Sequence, residues 1–198
     1  MIVLALDTTG PDCSVCLRRD AEILAYASDR IGRGHAERLA PMVADAFAAA
    51  NLSAEHIDRV AVCTGPGSFT GLRVALSLAK GFALPRQLPV LGLDALAVEA
   101  ARLQRDKVTL FRDVKRGQVY AALYRSAQAD APPRAMTMEA AQALANEHET
   151  DLLPAEHADM RVLAMMAMTA DPEHCAALPL YARAPDAKLP GGKTLPAS

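Results

Sequence analysis

Tryptophan is absent, and phenylalanine and tyrosine contribute only four residues each to a chain of 198. So few aromatic rings leave little on which nucleic-acid bases could stack. Positive charge is no more abundant, because 21 Lys and Arg face 23 Asp and Glu for a formal balance of −2, and no overall field draws in a phosphate backbone. Contact with RNA would have to be local or delivered by a partner. No stretch approaches the ~20 apolar residues that a membrane-spanning helix needs. The opening run Met1 to Asp7 has no basic residues before it and ends at a carboxylate, so a secretory signal is not expected and the cytoplasm is the expected compartment. There Cys13, Cys16, Cys63 and Cys175 would be reduced thiols, and Asn51-Leu52-Ser53 a glycosylation match without its context.

What the chain does have is apolar content, 52% hydrophobic, enough for a core without disulfide or metal, as one domain or two small lobes. Ile2–Leu6, Cys13–Leu17 and Glu22–Ala27 read as an antiparallel meander with a turn at Arg18-Arg19-Asp20. From His35 the positions Leu39, Met42, Val43, Ala46, Phe47 and Ala50 follow helical spacing, with Pro41 expected to kink the first turns. A strand over Val60–Cys63, a helix over Leu72–Leu84, a strand over Pro89–Leu91 and a helix capped by Asp94 follow. The pattern implies a mixed sheet with helices packed on it. A second, smaller half opens with strands at Val108–Phe111 and Val119–Tyr124 around Arg116-Gly117. It continues with a loop over Ser126–Arg134 and helices over Met138–His148 and Asp159–Thr169, and the tail from Ala184 is expected to be flexible.

The sharpest local feature is Thr64-Gly65-Pro66-Gly67-Ser68-Phe69-Thr70-Gly71-Leu72-Arg73, placed between a strand and a helix. Such a turn exposes free N–H groups at the positive end of a helix, where phosphate or carboxylate can bind, with Ser68 and Thr70 adding hydroxyls. It lacks the Gly-Lys-Ser/Thr of a phosphate loop, the glycine spacing of a dinucleotide fingerprint and the frame of a nucleophile elbow. A tight turn that lets the helix pack closely is the competing reading, and the pattern alone tips slightly toward it. Asp7-Thr8-Thr9-Gly10 ends the first strand and could face a phosphate and its Mg²⁺ or form an Asx turn. Together, Asp7, Thr8, Thr9, Gly65, Gly67, Ser68, Thr70 and Gly71 form a candidate nucleotide or phosphate site at neighbouring strand ends.

Cys13 and Cys16 have the spacing of a metal knuckle, but in an alternating strand they point to opposite faces and read as structural thiols. His35 would need a second ligand one turn on, and position 39 is leucine. No metal site is expected and no residue is assigned as catalytic. Arg102, Arg105, Lys107, Arg112, Lys115 and Arg116 give the middle of the chain a basic bias, read as a solvated face more than an RNA contact.

Ile2 to Thr9 with Cys13-Ser14-Val15, His35 with Leu39-Ala40-Pro41, Gly65 to Arg73, Asp113 to Tyr120 and the closing Pro179-Leu180-Tyr181-Ala182-Arg183 occur in the order of the TsaB (YeaZ) family, which the chain resembles. The resemblance implies an α/β fold of the actin-like ATPase type, with two ribonuclease-H-like lobes of mixed sheets flanked by helices, here about 1–100 and a reduced 101–198. It implies a non-catalytic subunit that pairs with TsaD, supports TsaE and serves threonylcarbamoyl transfer to adenosine 37 of tRNA, touching tRNA only through the complex. Alone, such a chain could pair with itself. The interface it implies lies on the first two helices and includes His35, Leu39, Met42, Val43, Phe47, Leu72, Arg73 and Leu76. No cofactor is required, and weak binding of ATP or ADP with Mg²⁺ is the most the glycine loop would add. A metal-dependent peptidase and an independent ATPase or small-molecule kinase are the rival readings, the first weakened by the single His35 and the second by the lack of an evident base.

Overall fold

In the first strand, β1 (Ile2–Asp7), every residue is buried. It lies at the centre of a five-stranded sheet of order β3-β2-β1-β4-β5, antiparallel to β2 (Asp12–Arg19) and parallel to β4 (Arg59–Cys63). The outer strands are β3 (Glu22–Arg30) and β5 (Val90–Leu93). This order is that of a ribonuclease-H-like sheet. A strand with both faces covered reads as a continuous apolar run, as Ile2-Val3-Leu4-Ala5-Leu6 does. Its side chains alternate between two cores: Leu4 and Leu6 face α1 (His35–Ala49) and α2 (Phe69–Ala83), while Val3 and Ala5 face α5 (Met160–Thr169). Full burial of each such leucine contributes about 1.5–3 kcal/mol. The structure described is a computed structural model, and it describes residues 1–114, 117–155 and 157–181.

The same alternation separates the cysteines of β2. Cys13 lies in the α1 and α2 core and Cys16 in the α5 core, both free and buried, so they share no ion and no disulfide. Desolvation pushes their thiols up to about 11 and about 12. Helix α1 runs unbroken through Pro41. Helix α2 begins three residues before the expected start at Leu72, because Ser68 is its N-cap and accepts the Gly71 N–H at 3.2 Å.

The second sheet has the order β10-β6-β7-β8, with β9 also pairing β7. Its hairpin is β6 (Lys107–Asp113) with β7 (Gln118–Arg125), and β10 (Leu152–Pro154) lies parallel to β6. The segment expected to be a loop over Ser126–Arg134 contains the two-residue β8 (Gln128–Ala129) and runs into β9 (Arg134–Thr137). Helix α4 (Met138–Glu147) covers this sheet through Ala141, packed on Val119 and Ala121. Helix α3 (Ala95–Leu103) lies between the halves, with Ala95 and Val98 in the first core and Leu96 and Ala100 in the second. A boundary drawn at residue 100 thus falls within α3, and α5, from the later half of the sequence, packs on β1, β2 and β4. Arg59 ties α5 down by donating to the carbonyls of Ala167 and Ala170 at 2.8 and 3.1 Å. Lys115, Arg116 and the expected flexible tail lie outside the described residues.

Candidate functional site

Because β1 and β4 are parallel neighbours, the turn after Asp7 and the glycine loop after Cys63 emerge side by side at the same edge of the sheet. The structure presses them into direct contact. Thr8 Oγ1 donates to the Gly71 carbonyl at 2.6 Å, and the Ser68 N–H donates to the Thr9 carbonyl at 2.8 Å. A Cβ on Gly71 would lie 1.9 Å from the Thr8 carbonyl oxygen, and one on Gly67 would lie 2.4 Å from that of Thr9. No side chain fits at either position, so close approach of the two backbones accounts for both glycines. Gly65 is required for a different reason, its φ of +98°.

Several of the donors expected to cradle a phosphate are engaged within the protein. The Ser68 N–H is taken by the Thr9 carbonyl and the Gly71 N–H by Ser68 Oγ, which caps α2, while the carbonyls of Thr64 and Gly65 fix the loop by accepting the N–H groups of Leu180 and Ala95 at 2.8 and 2.7 Å. The Thr9 N–H donates to Asp7 Oδ1 at 2.7 Å, the Asx turn among the sequence readings. Thr70 stands exposed on the first turn of α2. Thr8 and Thr9 are buried. Burial raises the Asp7 carboxyl above the ordinary carboxylate range, opposed by the Thr9 N–H and by the charge of Arg112.

Of these residues Asp7 also lines a cavity, a space of 570 Å³ between the two sheets, walled by Gly10, Ser14, Glu99 and Arg112 among others. Its chemistry comes from residues the sequence reading did not single out as a site. Arg112 is buried on β6, not part of a solvated basic face. Arg102 is held by Glu99 through two bonds of 2.7 and 2.6 Å, and Arg105 pairs with Asp151. The basic stretch is therefore not one continuous face. The alternation of β6 held the signal, since Arg112 follows Val108 and Leu110 on the inward side.

The side chains expected to meet a partner divide. Leu39, Met42, Val43, Leu72 and Leu76 belong to the chain's own core, so they cover the sheet instead of forming a surface. His35 and Phe47 are half-buried, and Arg73 is exposed. Phe47 stacks on Phe82 of α2 with ring centroids 5.9 Å apart. What α1 turns outward is Ala36, Ala40, Pro41, Ala44, Ala48 and Ala49, together with the carboxylates Glu37 and Asp45. At the head of α2, Phe69 is 44% exposed, with the Arg73 guanidinium 3.9 Å from its ring centroid and the Tyr181 ring 4.9 Å away. His35 has no histidine one turn on, Leu39 being buried there, and among the described residues no group of three His, Cys, Asp or Glu could hold a metal ion.

If Gly71 is required by backbone contact, Gly71→Ala should cost about 3 kcal/mol or more by urea denaturation. Gly81, in the same helix with open space around its Cα, gives the opposite sign. Gly81→Ala should stabilise by about 0.5–1 kcal/mol. Asp7 makes a pH prediction. Its raised value means that folding favours the protonated form, so that stabilisation is full below about pH 4 and is lost as pH rises through the raised value. Asp7→Asn keeps the acceptor for the Thr9 N–H and should be at least as stable as the parent at pH 7, with a flatter dependence of urea midpoint on pH. A variant clearly less stable than the parent at pH 7 would show that attraction to Arg112 outweighs burial.

The geometry can be set beside known proteins. A family model described as TsaD, tRNA N6-adenosine threonylcarbamoyltransferase, matches residues 29–135. The TsaB protein of Escherichia coli, named a tRNA threonylcarbamoyladenosine biosynthesis protein, is 36% identical over 128 residues, covering 63% of this chain and 55% of the relative. The Bacillus subtilis TsaB is 29% identical over 126 residues, with the same coverage of 63% and 55%. The chain thus spans about half the length of the curated relatives it matches. A solved structure from Pseudomonas aeruginosa, described as an uncharacterized protein with similarity to peptidase YEAZ, superposes with a TM-score of 0.72 at 27% identity, covering 92% of this chain and 99% of that one. Its named relatives are TsaB proteins, and with more than half of its length matched by the family model, the chain belongs to the family described as TsaD, tRNA N6-adenosine threonylcarbamoyltransferase.

Proposed function

We propose that this chain is a non-catalytic subunit of the machinery that places threonylcarbamoyl on adenosine 37 of tRNA, pairing with TsaD through the outer face of α1 and α2 and supporting TsaE. The names of its relatives give the pathway. The observation that carries the pairing is the outer surface of the two helices. Ala36, Ala40, Ala44 and Ala48 recur every four residues along α1, a stripe of small side chains flanked by the exposed Glu37 and Asp45, and it lets a partner helix approach closely. Beside them, the Phe69, Arg73 and Tyr181 cluster offers the aromatic and guanidinium chemistry that anchors interfaces. In this reading the closed contact between the Asp7 turn and the glycine loop is a structural remnant of a nucleotide pocket, and tRNA reaches the chain through its partners. Without TsaD, the same face would pair two copies.

The test is co-purification with TsaD, followed by a tRNA threonylcarbamoylation assay with and without the chain. Leu76→Asp would be uninformative, because Leu76 is core and its loss unfolds the lobe. Phe69→Ala and Ala44→Glu alter only the outer face. Ala44→Glu is expected to leave thermal stability unchanged and Phe69→Ala to lower it slightly through its lost contact with Tyr181, and each to weaken pairing by about 1–3 kcal/mol, roughly 5- to 150-fold, with activity falling in parallel. A TsaD that neither binds the chain nor needs it overturns the assignment.

A further inference from the structure

The outer face of α2 is cationic, and one of its two charges is held in place. Phe69, Arg73, Ser77 and Lys80 recur at three- and four-residue spacing, which puts them on one stripe, and all four are exposed. No acidic residue occurs along this helix. Among the described residues neither Arg73 nor Lys80 enters an ion pair. The carboxylates of the adjoining surface, Glu37 and Asp45, lie on α1, and Asp45 already has Arg38 at 3.4 Å.

Arg73 is confined on two sides. Its guanidinium lies 3.9 Å over the centre of the Phe69 ring, and its Nε donates to the Tyr181 hydroxyl at 3.4 Å. Tyr181 is fixed in turn: its ring stands 4.9 Å from that of Phe69, and its carbonyl accepts the Tyr120 hydroxyl of β7 at 3.4 Å. One residue earlier, the Leu180 N–H is bonded to the Thr64 carbonyl of the glycine loop. Three parts of the chain therefore meet behind a single guanidinium. The ring takes one of its faces and the hydroxyl takes Nε, while Nη1 and Nη2 have no hydrogen-bond partner among the described residues. Those two groups form a planar pair of donors that matches the two oxygens of a carboxylate. A side chain already held in place loses less conformational freedom when a partner docks.

We propose that Arg73 decides which partner this face accepts, by receiving an Asp or Glu carboxylate of the partner on its two Nη groups. The inference rests on the pairing role proposed above and adds the chemistry that the partner must bring to the head of α2. A surface that places a lysine or arginine there meets like charge and is rejected. Tyr181 is a positioning residue in this contact, since its hydroxyl holds the Nε side and leaves the Nη pair facing outward.

The affinity of the whole chain for TsaD would be measured by calorimetry at low and at high sodium chloride, with melting curves to show that each variant is folded. Pairing by the parent should weaken as salt rises. Arg73→Gln should bind about tenfold more weakly or worse at low salt and lose less on adding salt. Arg73→Lys keeps the charge without the planar pair, so it should retain the salt dependence at an affinity between the two. Tyr181→Phe keeps the ring on Phe69 and should cost a smaller part of the affinity than Arg73→Gln. An Arg73→Gln variant that pairs with parental affinity, or that pairs more weakly with an unchanged salt dependence, overturns the carboxylate contact, as does an Arg73→Lys variant equal to the parent. If Phe69→Ala and Ala44→Glu still weaken pairing in that case, the pairing role stands without it. A TsaD that does not bind the parent chain overturns both.

Discussion

The approach of two backbones at the edge of the first sheet governs the rest of the structure. The Thr8 and Thr9 carbonyls occupy the space where Gly71 and Gly67 would carry side chains, and two hydrogen bonds of 2.6 and 2.8 Å close the contact. This joins the end of β1 to the start of α2, which are 63 residues apart in sequence at Thr8 and Gly71. With α2 held there, Ser68 is placed to cap it, Leu72 and Leu76 fall into the core, and Phe69 and Arg73 are turned outward. The closing segment is drawn into the same joint, since Leu180 bonds to the Thr64 carbonyl and Tyr181 packs on Phe69. One steric constraint therefore shapes both the interior and the surface assigned to a partner.

Much of this was legible because the signals are local. Ile2 to Leu6 read as a strand from its apolar run and the turn formers that close it, and Asp94 marked a helix start that the structure keeps. The alternation of β2 separated Cys13 from Cys16 before any coordinates. The start of α2 was less legible, because Phe69, Thr70 and Gly71 are weak helix formers and the Ser68 cap outweighs them. Strands β9 and β10, of four and three residues, are too short for a periodic pattern, and tertiary pairing decides them.

Long-range features were not legible at all. An amphipathic stripe states that one face is buried but not against what, so Leu39, Met42, Val43, Leu72 and Leu76 fit an interface as well as a core until the sheet was seen beneath them. The periodicity of α5 gave a helix without saying that it would return to β1 and β2. Arg112 was hidden among neighbouring basic residues, and only its inward register on β6 separates it from Arg102 and Arg105. In each case local chemistry was readable and the partner was supplied by topology.

The central claim is that the glycine loop is closed by backbone contact with Thr8 and Thr9 instead of standing open as a phosphate cradle. Amide hydrogen exchange at Ser68, whose N–H donates to the Thr9 carbonyl at 2.8 Å, tests this most directly, measured with and without Mg²⁺ and ATP. A protected amide whose exchange is unchanged by nucleotide is the predicted result. An amide that exchanges freely in the unliganded chain and becomes protected on adding nucleotide would contradict it.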